Sequence, residues 1–222
     1  GHTGDVNSVC FSPNGAIVAS GSADRSVRLW DAQTGECLYT LEGHTGDVTS
    51  VCFHAHGRLL ASGSIDTTIN LWDVQTGRRL NTLHGHTELV FSVSFSPDGT
   101  YLAGSGADHK VRLWDPYTGR CLQTLQGHTN WVRTVAFSQD VSVLASGGDD
   151  PMVGLWDPST GRCLHTLQGH VNWVRAVNFS PDGRSLATGS DDLLVQLWST
   201  ENGECRRVLR GHTGGIWSIC FS

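Results

Sequence analysis

The sequence predicts an all-β protein made of small four-stranded antiparallel sheets stacked radially, face to face. Three observations predict it. A Gly-His pair opens the chain at Gly1 and returns at Gly43, Gly85, Gly127, Gly169 and Gly211, a constant step of 42 residues, and Trp30, Trp72, Trp114, Trp156 and Trp198 keep the same step. Within each step apolar residues alternate with period two, the spacing of strands and not of helices. The charged fraction is 16%, below the roughly 25% of ordinary soluble domains. Gly, Ser and Thr fill the deficit, which favours turns and tightly packed sheets over helices laced with Glu and Lys.

The first repeat supplies the pattern for the others. VNSVCF alternates Val6, Ser8 and Cys10 against Asn7, Val9 and Phe11 and forms the first strand. The turn Pro13-Asn14-Gly15 feeds AIVASGS, the second strand, and a corner at Asp24 leads into SVRLW, the third. Thr34-Gly35 then turns the chain into ECLYTLEG, the fourth. Glycines between alternating runs are hairpin signals, because glycine accepts positive φ without steric cost. These strands are apolar on both faces, so each sheet needs a neighbour on either side. Radial stacking meets that need and leaves only short edges.

The 222 residues divide into five repeats, 1–42, 43–84, 85–126, 127–168 and 169–210, and a partial sixth, 211–222, expected to be the first strand of a further sheet. The whole chain, 1–222, reads as a single array. With no initiator Met and an incomplete sixth repeat, the stretch is expected to be an excerpt of something longer. The formal charge of −6 gives no general attraction to phosphate backbones. No apolar run reaches the roughly 18–20 residues of a membrane span. Neither nucleic acid nor membrane is therefore an expected partner.

The succession Gly-His, Ser-Gly-Ser, Asp and Leu-Trp-Asp, in phase over all 222 residues, resembles the WD-repeat (WD40) β-propeller family. The resemblance implies four-stranded blades within a propeller of about seven, closed by residues beyond this stretch or by a second chain. The near-identical repeats are also similar to arrays at the C-terminus of NACHT-type NTPases, bacterial Ser/Thr kinases and fungal incompatibility proteins.

Several groupings invite a chemical reading. Ser20, His2 and Asp24 could form a hydrolase triad, as could Ser62, His44, Asp66; Ser146, His128, Asp150; and Thr188, His170, Asp192. A triad is needed once, beside an oxyanion hole, so copies in register argue for architecture. The family resemblance implies that role: each set joins its tryptophan, Trp30, Trp72, Trp156 or Trp198, in a hydrogen-bonded tetrad. The third repeat has His86, Asp108 and Trp114 but Gly104 where the hydroxyl belongs, so it is expected to be the weakest. Seven cysteines fall in two registers whose copies lie on adjacent sheets, about 10 Å apart and beyond disulfide reach. They read as small buried hydrophobes in a reducing cytoplasm. His54 and His56 form His-Ala-His on a hairpin, too few ligands for zinc, and read as surface drift. No catalytic group, metal or cofactor is implied.

The informative positions vary while the frame repeats. Five residues after each Gly-His histidine stand Asn7, Thr49, Phe91, Arg133, Arg175 and Trp217. Two residues earlier stand Asp5, Asp47, Leu89, Trp131, Trp173 and Gly215, and before each turn aspartate stand Ala23, Ile65, Ala107, Asp149 and Asp191. The resemblance implies that these registers share the narrow face where partners dock. Leu89, Phe91, Trp131, Arg133, Asp149, Trp173, Arg175, Asp191 and Trp217 are the expected contact residues, since aromatics and Arg dominate binding hot spots. Alternatively each Arg is spent on Asp149 or Asp191 and each Trp lies under its loop. The expected function is a non-catalytic platform for a protein or peptide ligand, a sensor or scaffold within a larger signalling protein. The alternatives are a five-bladed carbohydrate-binding lectin and, behind it, a glycosidase.

Overall fold

A computed structural model describes residues 1–221. Among them are twenty strands and no helix. The first sheet holds β1 (Val6–Phe11), β2 (Ile17–Ser22), β3 (Val27–Asp31) and β4 (Cys37–Leu41). The second holds β5 (Val48–Phe53), β6 (Leu59–Ser64), β7 (Ile69–Asp73) and β8 (Arg79–Leu83), and the third β9 (Val90–Phe95), β10 (Leu102–Gly106), β11 (Lys110–Trp114) and β12 (Cys121–Gln126). The fourth holds β13 (Val132–Phe137), β14 (Leu144–Gly148), β15 (Met152–Trp156) and β16 (Cys163–Gln168). The fifth holds β17 (Val174–Phe179), β18 (Ser185–Ser190), β19 (Val195–Ser199) and β20 (Cys205–Leu209). Strands pair in chain order within each sheet, so every connection is a hairpin. Residues 211–221 form no strand, and no hairpin partner for them lies within the described residues; Ile216 is nonetheless buried and its N–H bonds the Ser190 carbonyl at 3.1 Å.

By contact the chain forms two compact units, Gly1–Gly104 with Trp114–Leu122, and Ser105–Leu113 with Gln123 onward. In the first unit Ala19, Val27, Leu29 and Leu41 of the first sheet pack on Val48, Val51, Phe53, Leu60 and Trp72 of the second. The same registers recur one repeat later, where Ile69, Leu71 and Leu83 meet Val90, Val93, Phe95 and Trp114. The second unit repeats the layer with Val153, Leu155 and Leu167 against Val174, Val177, Phe179 and Trp198. The inner strands therefore read as apolar on both faces because both are covered. In the first sheet the equivalent face is bare: Val6, Val9 and Phe11 are 51–67% exposed.

Four of the five repeats carry a continuous polar chain. In the second, the Trp72 indole N–H donates to Ser62 Oγ at 2.8 Å, the Ser62 hydroxyl meets His44 Nε2 at 2.7 Å, and His44 Nδ1 meets Asp66 Oδ2 at 2.8 Å. The first, fourth and fifth match it through Ser20, Ser146 and Thr188, all distances lying between 2.7 and 2.9 Å. Each serine or threonine accepts the indole proton and donates its own, which leaves the imidazole proton on Nδ1 for the carboxylate. The hydroxyl is thus buried and fully engaged, unlike a nucleophile at a cleft.

The third repeat breaks the chain. Among the described residues Trp114 Nε1 finds no acceptor although it is buried, a situation that costs about 1–3 kcal/mol. Asp108 accepts from the buried Arg112 guanidinium. A side chain at Gly104 would lie 2.6 Å from Ile69 Cδ1. The residues equivalent to Ile69 in the first, third and fourth repeats are Val27, Val111 and Val153. The extra methyl of Ile69 therefore occupies the volume that the missing serine vacates.

Two expectations fail. The cysteines of β4, β12, β16 and β20 are exposed, and only Cys10 and Cys52 are half-buried. The fourth strand is an edge of each sheet, and most of its side chains meet solvent. No disulfide forms among the described residues. His54 is not surface drift: it is 2% exposed, lying 3.3 Å from the Gly99 carbonyl and 3.1 Å from the Tyr117 hydroxyl.

Hydrogen exchange should show the amides of the third sheet opening at lower free energy than those of the second and fourth. Gly104→Ser alone crowds Ile69, and Ile69→Val alone costs about 0.5–1.5 kcal/mol. Combined, they should restore the chain and stabilise beyond the sum of the singles by about 1 kcal/mol in urea melts. Additivity would show that the two sites are not coupled.

The buried chains also set an acid response. Burial holds the His44 imidazole below its ordinary 6.5, outweighing the Asp66 charge that pulls the other way. Burial alone would raise Asp66, but hydrogen bonds from Thr68, Thr45 and His44 together hold its carboxyl below 3.8, and Asp150 and Asp192 behave alike. The unfolded chain thus binds protons more readily at both groups, so stability falls as pH falls. Melts should show full stability above about pH 7, a first loss below about 6.5 and a second below about 4. A flat profile from pH 7 to 5 in the His44→Gln variant, against a slope in the parent, would assign the first stage.

Candidate functional site

The positions singled out by variation share a structural cause. In β1, β5, β13 and β17 the pairing register slips at Asn7, Thr49, Arg133 and Arg175, each an extra residue between two paired neighbours. Such a β-bulge re-aims the side chain it carries. In the first two sheets the bulged residue is spent on the neighbouring sheet: Asn7 Nδ2 donates to the Val48 carbonyl at 3.0 Å, and Thr49 Oγ1 to the Val90 carbonyl at 2.7 Å. In the fourth and fifth it is an arginine.

Arg133 Nε and Nη2 donate to the two Asp149 oxygens, each at 2.8 Å, a bidentate pair. Arg175 places Nε and Nη2 on Asp191 Oδ2 at 3.0 and 2.7 Å. Each aspartate is itself fixed, its N–H bonding the carbonyl of Trp131 or Trp173 at 2.8 and 3.0 Å. The guanidinium of Arg133 then lies 4.7 Å from the Trp131 ring centre. Arg175 lies between two rings, 4.6 Å from Trp173 and 4.8 Å from Trp217. Gly148 makes room for this arrangement in the fourth repeat, since a Cβ there would fall on the Trp131 carbonyl oxygen.

The arginines are spent on Asp149 and Asp191, yet the tryptophans do not lie under their loops: Trp131, Trp173 and Trp217 are 36%, 41% and 71% exposed. Within the second unit they form a surface of indoles laid over neutralised guanidiniums. A stacked, desolvated cation contributes about 0.5–2 kcal/mol, enough to hold the rings in one orientation before anything binds. Leu89 and Phe91 are half-buried in the first unit.

Sequence reading missed two neighbours in these loops. Leu193 is exposed and holds φ at 71°, and Val171, 86% exposed, replaces the threonine that follows Gly-His in the other repeats. An exposed branched residue in place of a repeated threonine was the available signal. Among the described residues no cluster of three or more His, Cys, Asp or Glu side chains could hold a metal.

The family model for the WD domain, G-beta repeat, matches residues 1–31, 35–73, 77–115, 119–157, 161–199 and 203–222. The chain belongs to the WD-repeat family. WD-repeat blades account for all five sheets, and the tetrads are their internal bolts. The chain is similar to the small ribosomal subunit protein RACK1 of Caenorhabditis elegans, 54% identical over 43 residues, which cover 19% of this chain and 13% of that protein. It is also similar to protein Mut11 of Chlamydomonas reinhardtii, 66% identical over 35 residues, 16% of this chain and 10% of that one. The aligned stretches thus span about a tenth of these relatives, the length of one WD repeat.

Acrylamide quenching should separate the two classes of tryptophan. Replacing Trp131, Trp173 and Trp217 with Ala should remove nearly all the quenchable emission while the melting temperature falls by no more than a few degrees. A collapse of the melt would make the three rings part of the core.

Proposed function

We propose that this WD-repeat chain is a non-catalytic interaction platform, a sensor or scaffold module of a larger signalling protein, working in the cytoplasm. Its ligand is a protein or peptide. The observation that carries this reading is the pair of Trp-Arg stacks locked by Asp149 and Asp191 with their rings open to solvent. Aromatic anchors held in place before binding lose little entropy on contact. Leu89 and Phe91 offer apolar groups in the same registers one repeat earlier.

The electrostatics narrow the ligand. Two arginines face two aspartates, and the outward surface is the rings rather than the charges. Such a surface favours an uncharged, aromatic or aliphatic peptide segment over an acidic or phosphorylated one. The buried, engaged hydroxyls of the tetrads speak against hydrolysis, and exposed thiols suit a reducing compartment. One relative bears the name of a ribosomal subunit protein, a component of an assembly, which agrees with a docking role. The bare Val6, Val9 and Phe11 face suits a further blade, from this protein or a second copy.

The test is a peptide array probed with the chain and with its Trp131→Ala/Trp173→Ala variant. We expect apolar and aromatic peptides to be retained at 0.5 M salt by the parent and to lose about tenfold or more in affinity with the variant, whose folding stays cooperative. Retention of acidic peptides alone, or of glycans on a parallel glycan array, would overturn the reading; the glycan result would favour a lectin.

A further inference from the structure

The His54-Ala55-His56 segment plays no part in the recognition face, and its two imidazoles do different work. His54 turns inward to Gly99 and Tyr117 of the third repeat. His56 instead lines a cleft of about 570 Å³ in the first unit, between the turns of the first and second sheets. Pro13, Ile17 and Val74 give the cleft apolar walls, Gln75 adds an amide, and Arg58 stands beside His56. That volume is within the range of small-molecule sites, which are apolar with a few convergent polar groups.

The repeats supply the control. Where the second repeat has His56, the third, fourth and fifth have Asp98, Asp140 and Asp182, each accepting its own turn serine at 2.5–2.7 Å. Arg184 stands in the register of Arg58, and its charge adds to the Ser180 and backbone hydrogen bonds that keep the Asp182 carboxyl below its ordinary value. In the second repeat the turn serine has become His54, and the turn acid has become His56. The cation at Arg58 thus has no carboxylate on its own turn, and the charge within its reach is Asp73. Among the described residues the Arg58 guanidinium makes no hydrogen bond or ion pair; its field only assists Thr76 in keeping Asp73 ionised. One repeat on, His54 meets the Tyr117 hydroxyl at 3.1 Å, and Leu59, Pro116 and Tyr117, in the registers of Ile17, Val74 and Gln75, line a smaller pocket of about 280 Å³.

We propose that this cleft binds a small organic anion, a carboxylate or phosphate ester with an apolar body, through Arg58 and His56 over Ile17 and Val74. The guanidinium takes the anionic group in a charge-assisted pair, and the walls shelter the rest. The site is independent of the tryptophan face.

Titration of the 15N-labelled chain with benzoate, phenyl phosphate, inorganic phosphate and uncharged benzyl alcohol tests it. The two aromatic anions should shift the amides of Gly57, Arg58 and Gln75, and their relative strength tells carboxylate from phosphate. Benzyl alcohol and inorganic phosphate should each bind about tenfold more weakly, for want of the charge or the apolar body. Arg58→Gln should weaken phenyl phosphate about tenfold with an unchanged melt, and Trp131→Ala/Trp173→Ala should leave it untouched. Equal binding of benzyl alcohol, indifference to Arg58→Gln, or shifts confined to other residues would overturn the proposal.

Discussion

The corner between the second and third strands is held by a carboxylate, and the rest of each blade depends on that anchor. Asp24, Asp66, Asp150 and Asp192 accept from a buried histidine, and each also takes the N–H of the residue after it, Thr3, Thr45, Thr129 or Val171. Gly-His and the corner, some twenty residues apart in sequence, are thereby fastened together. The residue just before the anchor inherits a fixed position. In the fourth and fifth repeats that residue is Asp149 or Asp191, and it reaches the arginine on the bulge. The anchor and the exposed tryptophan-arginine stacks thus share one turn.

The design separates what must be constant from what is free to change. In the first, second, fourth and fifth repeats the bulge re-aims one side chain of the first strand, whatever that side chain is. Asn7 and Thr49 use the position to bond the next sheet's backbone, whereas Arg133 and Arg175 use it to stack on indoles. Exchange at these positions leaves the packed layers alone, because Val48, Val132 and Val174 beside them carry the burial.

Departures from the repeat come with compensation nearby. Gly104 without a hydroxyl is met by the larger Ile69, and Asp108 by Arg112. His54 in place of a turn serine is met by Tyr117. Gly104 and Ile69, and His54 and Tyr117, are far apart in the chain, so the loss at one and the gain at the other look unrelated until the sheets are stacked. Close packing makes such coupling necessary, since a void or an overlap of one methyl is felt by the neighbours.

The sequence by itself determined the blades, their order and the hairpins, because a period of 42 and an alternation of two leave a backbone little choice, and the family resemblance implied the tetrad members. It also marked Trp131, Arg133, Trp173 and Arg175 as positions where the frame was not the reason for the residue. Tertiary structure alone decided what those residues do. Whether an arginine is free or paired, and a ring open or covered, depends on a one-residue bulge and on contacts between segments 16 to 42 residues apart. The same holds for the cysteines, whose register is plain in the sequence but whose exposure follows from the fourth strand lying at an edge of its sheet. Local pattern fixes the strand; only the neighbouring layers fix which of its faces meets water.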